Sequence, residues 1–300
     1  EFDQAIEQVS VFARLTPKMK LRILERLQKL GHTVAMTGDG VNDVLALKKA
    51  NIGIAMGQIG TDVAREASDI VLADDNFASL IDAVEEGRVV FTNTRQASAF
   101  LITTNLAEYL VIIISIAFGL PLPLIASQIL WVNLVTDGLV DMPLAFEPGH
   151  GDVLNQKPRA KDENILSKEM LGFLAPIVLC MVISSLWMFV DLLPQGIEKA
   201  RTGTFLVICL TQLINIFNMR SFDRSLFSIG FFSNKYLLAA VLGSLIILYL
   251  ALTNEFLVNI FSFVPLDRRE VIEAIALSSL VLVVGELYKL RQNSINKNKV

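Results

Sequence analysis

The sequence has 300 residues, of which 53% are hydrophobic, with a net charge of −4 and a mean hydropathy of +0.54. So small a net charge gives no basic surface for nucleic acid, and no nucleic-acid partner is expected. Cys180 and Cys209 both lie in apolar runs, which excludes a secreted disulfide framework and predicts that they are packing residues. Charges are spread through residues 1–95, whereas runs of about 20 apolar residues recur from Phe100 onward.

The N-terminal region alternates patterns typical of helices and strands. Thr16 and Pro17 are a natural N-cap and first helical residue, and Gly31 ends the helix that they begin. Further along, the pattern predicts strands at 32–37, 51–56 and 69–73 and helices at 41–50 and 61–67. This alternation predicts a parallel, Rossmann-like α/β sheet in a domain spanning residues 1–90.

The C-terminal region, residues 91–300, is predicted to be an all-α domain with six transmembrane helices. A helical pattern from Asn76 continues into the first span, at about 97–119. Five more apolar runs follow, at about 123–142, 170–193, 202–219, 235–254 and 270–289. The second run is expected to be interrupted at Asp137-Gly138 and to stop at Pro143. Lys and Arg concentrate in the loops on the side of both termini, which predicts cytoplasmic termini and contact with membrane lipid. The plasma membrane is the expected location.

The most specific local motif is the string Thr37-Gly38-Asp39-Gly40-Val41-Asn42-Asp43, which follows a predicted strand and precedes a helix. Its carboxylate and amide oxygens suit Mg²⁺, a hard cation, and the turn amides at a helix N-terminus favour a phosphate. Lys20, on the preceding helix, supplies a positive charge for a phosphoryl oxygen. A surface turn that uses Gly and Asp for backbone reasons is the alternative, and the full string disfavours it.

Residues 13–91 resemble the C-terminal half of the phosphorylation domain of P-type ATPases, in the haloacid-dehalogenase superfamily. The resemblance implies that Lys20 and Thr37 contact an aspartyl phosphate and that Asp39 is a Mg²⁺ ligand. It also implies that Asn42 and Asp43 organise the ligand shell, and that Gly38 and Gly40 bind the cofactor together with Asp39. ATP would be the substrate of the full-length enzyme. Leu45 departs from the family, which usually has Pro there.

Polar residues also occur inside the first two apolar runs, where ionisable groups are costly and usually functional. Asn105 and Glu108 are three residues apart and are predicted to share a helix face. Asn133, Thr136 and Asp137 share a face of the second run, and Gly138 would let that helix unwind and free backbone carbonyls. Together these oxygens form a predicted cage for a hard cation such as Ca²⁺, and suit Na⁺ or K⁺ less specifically.

The strings Asn105–Glu108 and Trp131–Leu139 resemble the fifth and sixth membrane helices of the calcium-transporting branch of the family. That resemblance implies that both strings supply calcium ligands. Gln212 stands where two-site calcium pumps resemble one another in using Glu, so it is an additional but weaker candidate ligand. Asp141 departs from the small residue usual there, and it either lines a cytoplasmic access path or is a solvated carboxylate at the membrane edge.

The leading hypothesis is therefore an ATP-driven, Ca²⁺-transporting P-type pump, present as its C-terminal portion. The family's phosphorylation motif Asp-Lys-Thr-Gly-Thr does not occur in the sequence, so the N-terminal part of the same pump is an expected partner and the chain alone is expected to be inactive. One alternative is a Na⁺, K⁺ or Mn²⁺ pump, and another is a non-catalytic remnant of a pump gene. A third is a membrane-anchored haloacid-dehalogenase-type phosphatase, for which Asp74-Asp75 is the nearest nucleophile candidate but lacks the Asp-x-Asp spacing.

Overall fold

The computed structural model describes residue 6 and residues 8–150, 153–155, 165 and 167–297. These residues form two compact units, Glu1–Glu86 and Gly87–Val300. A single helix, Phe77–Ala117, begins in the first unit and ends in the second. The boundary predicted from sequence, between residues 90 and 91, lies inside this helix.

The first unit is a small α/β fold, as predicted. Its elements are α1 (Pro17–Lys29), β1 (Ala35–Gly38), α2 (Val44–Lys49), β2 (Ile52–Met56), α3 (Asp62–Ala67) and β3 (Ile70–Leu72). The strands are parallel in the order β1-β2-β3, with Thr37 opposite Ile54 and Ile54 opposite Ile70. A small core of Leu47, Ala55 and Ala64 packs the helices onto β2.

Local sequence explains where α1 begins and ends. The hydroxyl of Thr16 accepts a hydrogen bond from the backbone N–H of Met19, and Pro17 occupies the first turn, where no N–H partner is needed. Gly31 follows the helix with a φ of +91°, a conformation that residues with a Cβ rarely adopt. These two signals fix the ends of α1 and place Lys20 near its N-terminal end.

The second unit is helical. Among the described residues, six helices are long and apolar enough to cross a membrane, and we number them as spans one to six: Phe77–Ala117, Ala126–Phe146, Met170–Gln195, Ile197–Met219, Lys235–Thr253 and Arg268–Ile295. The corresponding helices are α4 (Phe77–Ala117), α5 (Ala126–Trp131) with α6 (Gly138–Asp141), α7 (Lys168–Leu192), α8 (Ile197–Met219), α10 (Lys235–Thr253) and α12 (Arg268–Lys297). The short helices α9 (Leu226–Ile229) and α11 (Glu255–Phe261) lie before and after span five.

Span four is the centre of this unit. In its most apolar stretch, 89% of the residues are buried inside the chain, against 22–56% for the other spans. Large side chains such as Phe205 and Ile208 on α8 pack in the core together with residues of α7 and α12. Because α8 is covered on all sides, its polar side chains must find partners on α8 itself, as Thr204 does at the carbonyl of Ala200, or on neighbouring helices.

The second span differs from its prediction at two points. The distortion is a π-helical turn over Val132–Asp137, and the α-helix resumes at Gly138 instead of unwinding there. Pro143 does not end the span, because it lies in the first turn of a 3₁₀ segment, Met142–Phe146, where a missing N–H is tolerated. The π-helical turn adds a residue to the helical turn that carries Asn133, Thr136 and Asp137.

Candidate functional sites

The turn after β1 forms the candidate phosphoryl-transfer site of the first unit. Gly38 ends the strand, and Asp39 follows with an exposed side chain and a backbone carbonyl that accepts from Thr61 N–H at 2.8 Å. The carbonyl of Gly40 accepts from the N–H of Asp43 at 3.0 Å and opens the short 3₁₀ turn Val41–Asp43. The chain therefore presents the Asp39 carboxylate at the carboxyl end of a parallel strand, where ligands bind in α/β folds.

Lys20 and Asp43 are brought together from α1 and the turn. The ammonium Nζ of Lys20 donates to Oδ1 of Asp43 at 2.8 Å, and the Asp43 side chain is only 8% exposed. Glycine is required at position 38, since a Cβ there would lie 2.5 Å from Cβ of Asp43. Thr37 is half-buried in β1, and the side chain of Asn42 is exposed.

The turn fits a Mg²⁺ ion that takes a single carboxylate ligand from this chain. Asp39 offers exposed oxygens, while the carboxylate of Asp43 is engaged with Lys20. Within the described ranges, no group of three or more His, Cys, Asp or Glu side chains is arranged to hold a metal ion. Mg²⁺ usually keeps several waters and shares a substrate phosphate, so one or two carboxylates are a normal protein contribution.

Asp74 and Asp75, the pair that the phosphatase hypothesis needs, act as loop caps. Asp75 accepts from the backbone N–H groups of Gly57, Gln58 and Ile59 at 2.6–3.0 Å. These backbone hydrogen bonds, that of Gln58 first, lower the pKa of Asp75 although partial burial opposes the shift. Asp74 accepts from the hydroxyl of Ser79 at 2.7 Å. Both carboxylates have structural partners, which disfavours a nucleophilic role.

The candidate cation site of the second unit is centred on Glu108 of span one, which is 3% exposed. Oε1 of Glu108 accepts from Nε2 of Gln212 on span four at 2.7 Å, and Oε2 accepts from Nδ2 of Asn133 on span two at 3.4 Å. Three separate spans therefore meet at one buried carboxylate. Asn133 itself lies at the surface of the chain.

Asp137 of span two is the second buried carboxylate, also 3% exposed. Its Oδ2 accepts from the hydroxyl of Thr104 at 3.1 Å, and the carboxylate interacts electrostatically with Glu108 and Asp141. Its Oδ1, like Oε1 of Gln212 and Oδ1 of Asp141, is buried without a hydrogen-bond partner among the described residues. Buried oxygens without donors are costly unless they face a cation, so this set is suited to a cation of high charge density.

Two predicted ligands are placed differently from the carboxylates. Asn105 is half-buried and donates to the carbonyl of Leu101 on its own helix at 2.8 Å. It shares no described hydrogen bond with Glu108, despite the spacing of three. Thr136 is buried, and its hydroxyl donates to the sulfur of Cys209 on span four at 3.6 Å.

Thr104 and Cys209 contact predicted ligands, Asp137 and Thr136, and the sequence reasoning did not identify them. Thr104 lies one turn before Glu108, and Cys209 lies one turn before Gln212, so helical periodicity could have placed both on the site's face. Neither residue is charged, and a Thr or a Cys in an apolar run is not recognisable from sequence as a ligand-site residue. Their contacts depend on which neighbouring span each face meets.

A buried ion pair fixes the segment that follows span two. Oε1 of Glu147 accepts from Nε and Nη2 of Arg220 at 2.9 and 2.7 Å, and both side chains are fully buried. Oε2 accepts from Asn234 at 2.7 Å, and His150 lies 2.8 Å from Oε1. Burial alone would raise the pKa of Glu147, but hydrogen bonds from His150, Arg220 and Asn234 together hold it below its usual value.

Comparison with known protein families gives two matches. Residues 121–291 match the family model for the C-terminus of cation-transporting ATPases, and residues 1–51 match that for haloacid dehalogenase-like hydrolases. The second match agrees with the Rossmann-like α/β fold predicted for the N-terminal region. The first covers spans two to five entirely and most of span six.

Individual relatives are similar over nearly the whole chain. A calcium-transporting ATPase of Bacillus subtilis is 39% identical over 292 residues, covering 96% of this chain and 33% of the relative. Calcium-transporting ATPase 1 of Saccharomyces cerevisiae is 39% identical over 288 residues, 95% of this chain and 30% of the relative. Calcium-transporting ATPase type 2C member 2 of Mus musculus is 38% identical over 295 residues, 97% of this chain and 31% of the relative. The chain therefore spans about a third of the length of these relatives.

Proposed function

The chain belongs to the family of cation-transporting ATPases and corresponds to their C-terminal part, and on this premise we propose that it works within an ATP-driven pump that transports Ca²⁺. The observation that carries the proposal is the buried Glu108 carboxylate, which accepts from Gln212 and interacts electrostatically with a second buried carboxylate, Asp137. Oδ1 of Asp137 and Oε1 of Gln212 are buried without donors in the part of the chain that the structure describes. Such an arrangement is costly in a membrane unless a cation occupies it.

Ca²⁺ is the favoured ion because the donor set is made almost entirely of oxygen atoms. Ca²⁺ takes six to eight oxygen ligands from carboxylates, carbonyls and hydroxyls in a flexible geometry. Glu108, Asp137 and Thr136 are buried at the site, and Gln212 adds an amide oxygen. Asn105 and Asn133 lie at or near the surface of the chain, so residues outside the chain would complete the cage around them.

The first unit would hold the phosphoryl group that drives transport. Bound Mg²⁺ would neutralise charge on the phosphoryl oxygens, with Asp39 as its protein ligand and ATP as the phosphoryl donor. Lys20 would bind a phosphoryl oxygen, and its bond to Asp43 keeps the ammonium group at the carboxyl end of β1. Thr37 and Asn42 would donate to the same group from either side of the turn.

Helix α4 provides a physical connection between the two chemistries. It is one continuous helix of 41 residues, about 60 Å long at 1.5 Å per residue. It starts two residues after Asp75, and it carries Thr104 and Glu108 in its C-terminal third. We propose that this helix is the element through which the two sites are coupled.

The N-terminal part of the same pump is the proposed partner of the first unit. Strand β1 is at an edge of the described sheet, and an open groove of about 480 Å³ lies beside it. Lys20 and Thr37 line this groove together with apolar side chains such as Phe12 and Phe77. A strand carrying the phosphorylated Asp would pair with β1 and bring its nucleophile to Lys20. Without that strand, the 300 residues alone should not hydrolyse ATP.

The proposed setting is the plasma membrane, with both termini in the cytoplasm. Lys and Arg are concentrated in the loops on the same side as the termini, which is the pattern of cytoplasmic loops. Accessibility of introduced cysteines to an impermeant thiol reagent in intact cells tests this orientation. Labelling of a cysteine at position 297 from outside would contradict it.

Metal-stimulated phosphorylation of the full-length protein tests the assignment. We expect Ca²⁺ to stimulate phosphoenzyme formation from ATP, and we expect Glu108→Gln and Asp137→Asn to abolish the Ca²⁺ dependence. Parallel assays with Na⁺, K⁺ and Mn²⁺ distinguish pumps for those ions. Unchanged Ca²⁺ dependence in both variants would overturn the site, and stimulation by another ion alone would overturn the choice of ion.

A further inference from the structure

Span four presents two polar side chains to the cation site from adjacent turns of one face. Cys209 and Gln212 are three residues apart on α8, the most buried span. Gln212 donates to Glu108 of span one, and Cys209 accepts from Thr136 of span two. One face of α8 therefore contacts candidate ligands on both spans that carry the buried carboxylates: Glu108 on span one and Thr136 on span two.

The direction of the Thr136–Cys209 hydrogen bond decides what the Thr136 oxygen can do. A hydroxyl has one proton to donate and two lone pairs that can accept or coordinate. Here the proton is directed to the Sγ atom of Cys209, 3.6 Å from Oγ1. The lone pairs of Oγ1 are then free to coordinate a cation, whereas a hydroxyl donating toward the site would present its proton to the ion.

The position of the sulfur supports this role. Cys209 is 1% exposed and lies one turn before Gln212, which donates to Glu108. Two oxygens nearby in sequence on the same spans, Oδ1 of Asp137 and Oε1 of Gln212, are buried without hydrogen-bond partners among the described residues, which indicates that a ligand belongs there. The other cysteine, Cys180, is only half-buried and lies on α7, away from these contacts.

We infer that Cys209 is a positioning residue for the cation site, because its sulfur accepts the Thr136 proton and turns the hydroxyl lone pairs toward the bound ion. The inference deepens the proposed function and rests on it. Sulfur is a weak acceptor, so the effect of losing it should be modest and confined to ion affinity. Cys209 was expected from sequence to be only a packing residue.

The test is the Ca²⁺ dependence of phosphorylation in full-length variants. Cys209→Val removes the acceptor and adds about one methyl group, and we expect half-saturating Ca²⁺ to rise about threefold to tenfold with unchanged maximal phosphorylation. Cys209→Ser restores an acceptor and should stay within about twofold of wild type. Cys180→Val, the matched control, should have no effect. If Cys209→Val does not fold, Cys209→Ala serves as a second variant without an acceptor.

A double-mutant cycle with Thr136→Val separates positioning from packing. If Cys209 acts through Thr136, then Cys209→Val should raise half-saturating Ca²⁺ no further when Thr136 is already Val. Additive effects, an unchanged Ca²⁺ affinity in Cys209→Val, or a loss of maximal phosphorylation alone would each overturn the inference. Because Glu108→Gln is measured in the same series, its loss of Ca²⁺ dependence would show that the proposed function stands even when the inference fails.

Discussion

In the first unit, most of the candidate phosphoryl site comes from seven consecutive residues, 37–43, whereas in the second unit three spans far apart in sequence supply the candidate cation site. The charged groups also differ in exposure. Asp39 lies open at the end of a strand, while Glu108 and Asp137 are each 3% exposed. A site for a soluble nucleotide can be built on one turn, but a site inside a membrane must be enclosed by several helices before its charges are tolerated.

Two of the ion pairs among the described residues make the same contrast measurable. Lys20–Asp43 and Arg220–Glu147 have nearly equal lengths, 2.8 and 2.7 Å, but their side chains are 34% and 8% exposed in the first pair and fully buried in the second. We expect Arg220→Met to cost about 3–5 kcal/mol, because it leaves the Glu147 carboxylate buried and unpaired. Lys20→Met should cost less, about 1–2 kcal/mol, because Lys20 is about a third exposed and water can reach the Asp43 carboxylate from the side that Lys20 leaves. Thermal unfolding of the chain in detergent measures both.

The double variant Glu147→Gln/Arg220→Met is the control for the buried pair. It removes both charges and should recover part of the stability lost in Arg220→Met alone. Equal destabilisation by Arg220→Met and Lys20→Met would show that burial does not separate the two pairs.

Within the phosphoryl turn, Gly38→Ala should have the next largest effect on stability. The added Cβ would lie 2.5 Å from Cβ of Asp43, so the turn must shift and the bond to Lys20 must lengthen. We expect a loss of about 1–3 kcal/mol. Gly40→Ala is the matched control two residues away, where the nearest atom to the new Cβ is 4.0 Å distant. Urea unfolding of the two variants compares them, and equal losses would contradict the packing seen at Gly38.

The smallest expected effect concerns the loop that Asp75 caps. Hydrogen bonds from Gln58, Ile59 and Gly57 N–H groups hold the pKa of Asp75 below its unfolded value of about 4. The stabilisation is therefore present above pH 4 and is lost as the pH falls through the lowered folded pKa. Asp75→Asn should reduce hydrogen-exchange protection at residues 57–59 at pH 7, and the difference from wild type should vanish at the lowest pH.

Asp74→Asn is the matched control for the loop. Its side chain accepts from Ser79 and Asn76, so protection at residues 57–59 should not change. A difference between Asp75→Asn and wild type that stays constant down to the lowest pH would exclude titration of Asp75 as the cause.

The phosphoryl site was largely predictable from sequence because its parts are contiguous or one helix away. The spacing of the motif placed Asp39 after a strand, and the Thr16-Pro17 cap placed Lys20 on a helix. The parallel sheet followed from the alternation of helix and strand patterns. Only local periodicity and turn chemistry were needed for these predictions.

The cation site was predictable only in part, because helix periodicity gives faces but not neighbours. The carboxylates were evident as charges in apolar runs, but the donors to them, Thr104 on Asp137 and Gln212 on Glu108, depend on how the spans pack. Gly138 suggested unwinding, yet the structure places the distortion one turn earlier as a π-helical turn. The Glu147–Arg220 pair joins residues 73 positions apart, and neither side chain has a local motif.

The most direct test of the two-site account compares Asp39→Asn with Asp137→Asn in the full-length protein, measuring equilibrium binding of radioactive Ca²⁺ and phosphorylation by ATP on the same preparations. The account predicts that Asp39→Asn loses phosphorylation and keeps Ca²⁺ binding, because its carboxylate serves only the phosphoryl site. Asp137→Asn should lose Ca²⁺ binding. Wild-type Ca²⁺ binding in Asp137→Asn, or its loss in Asp39→Asn, would contradict the account.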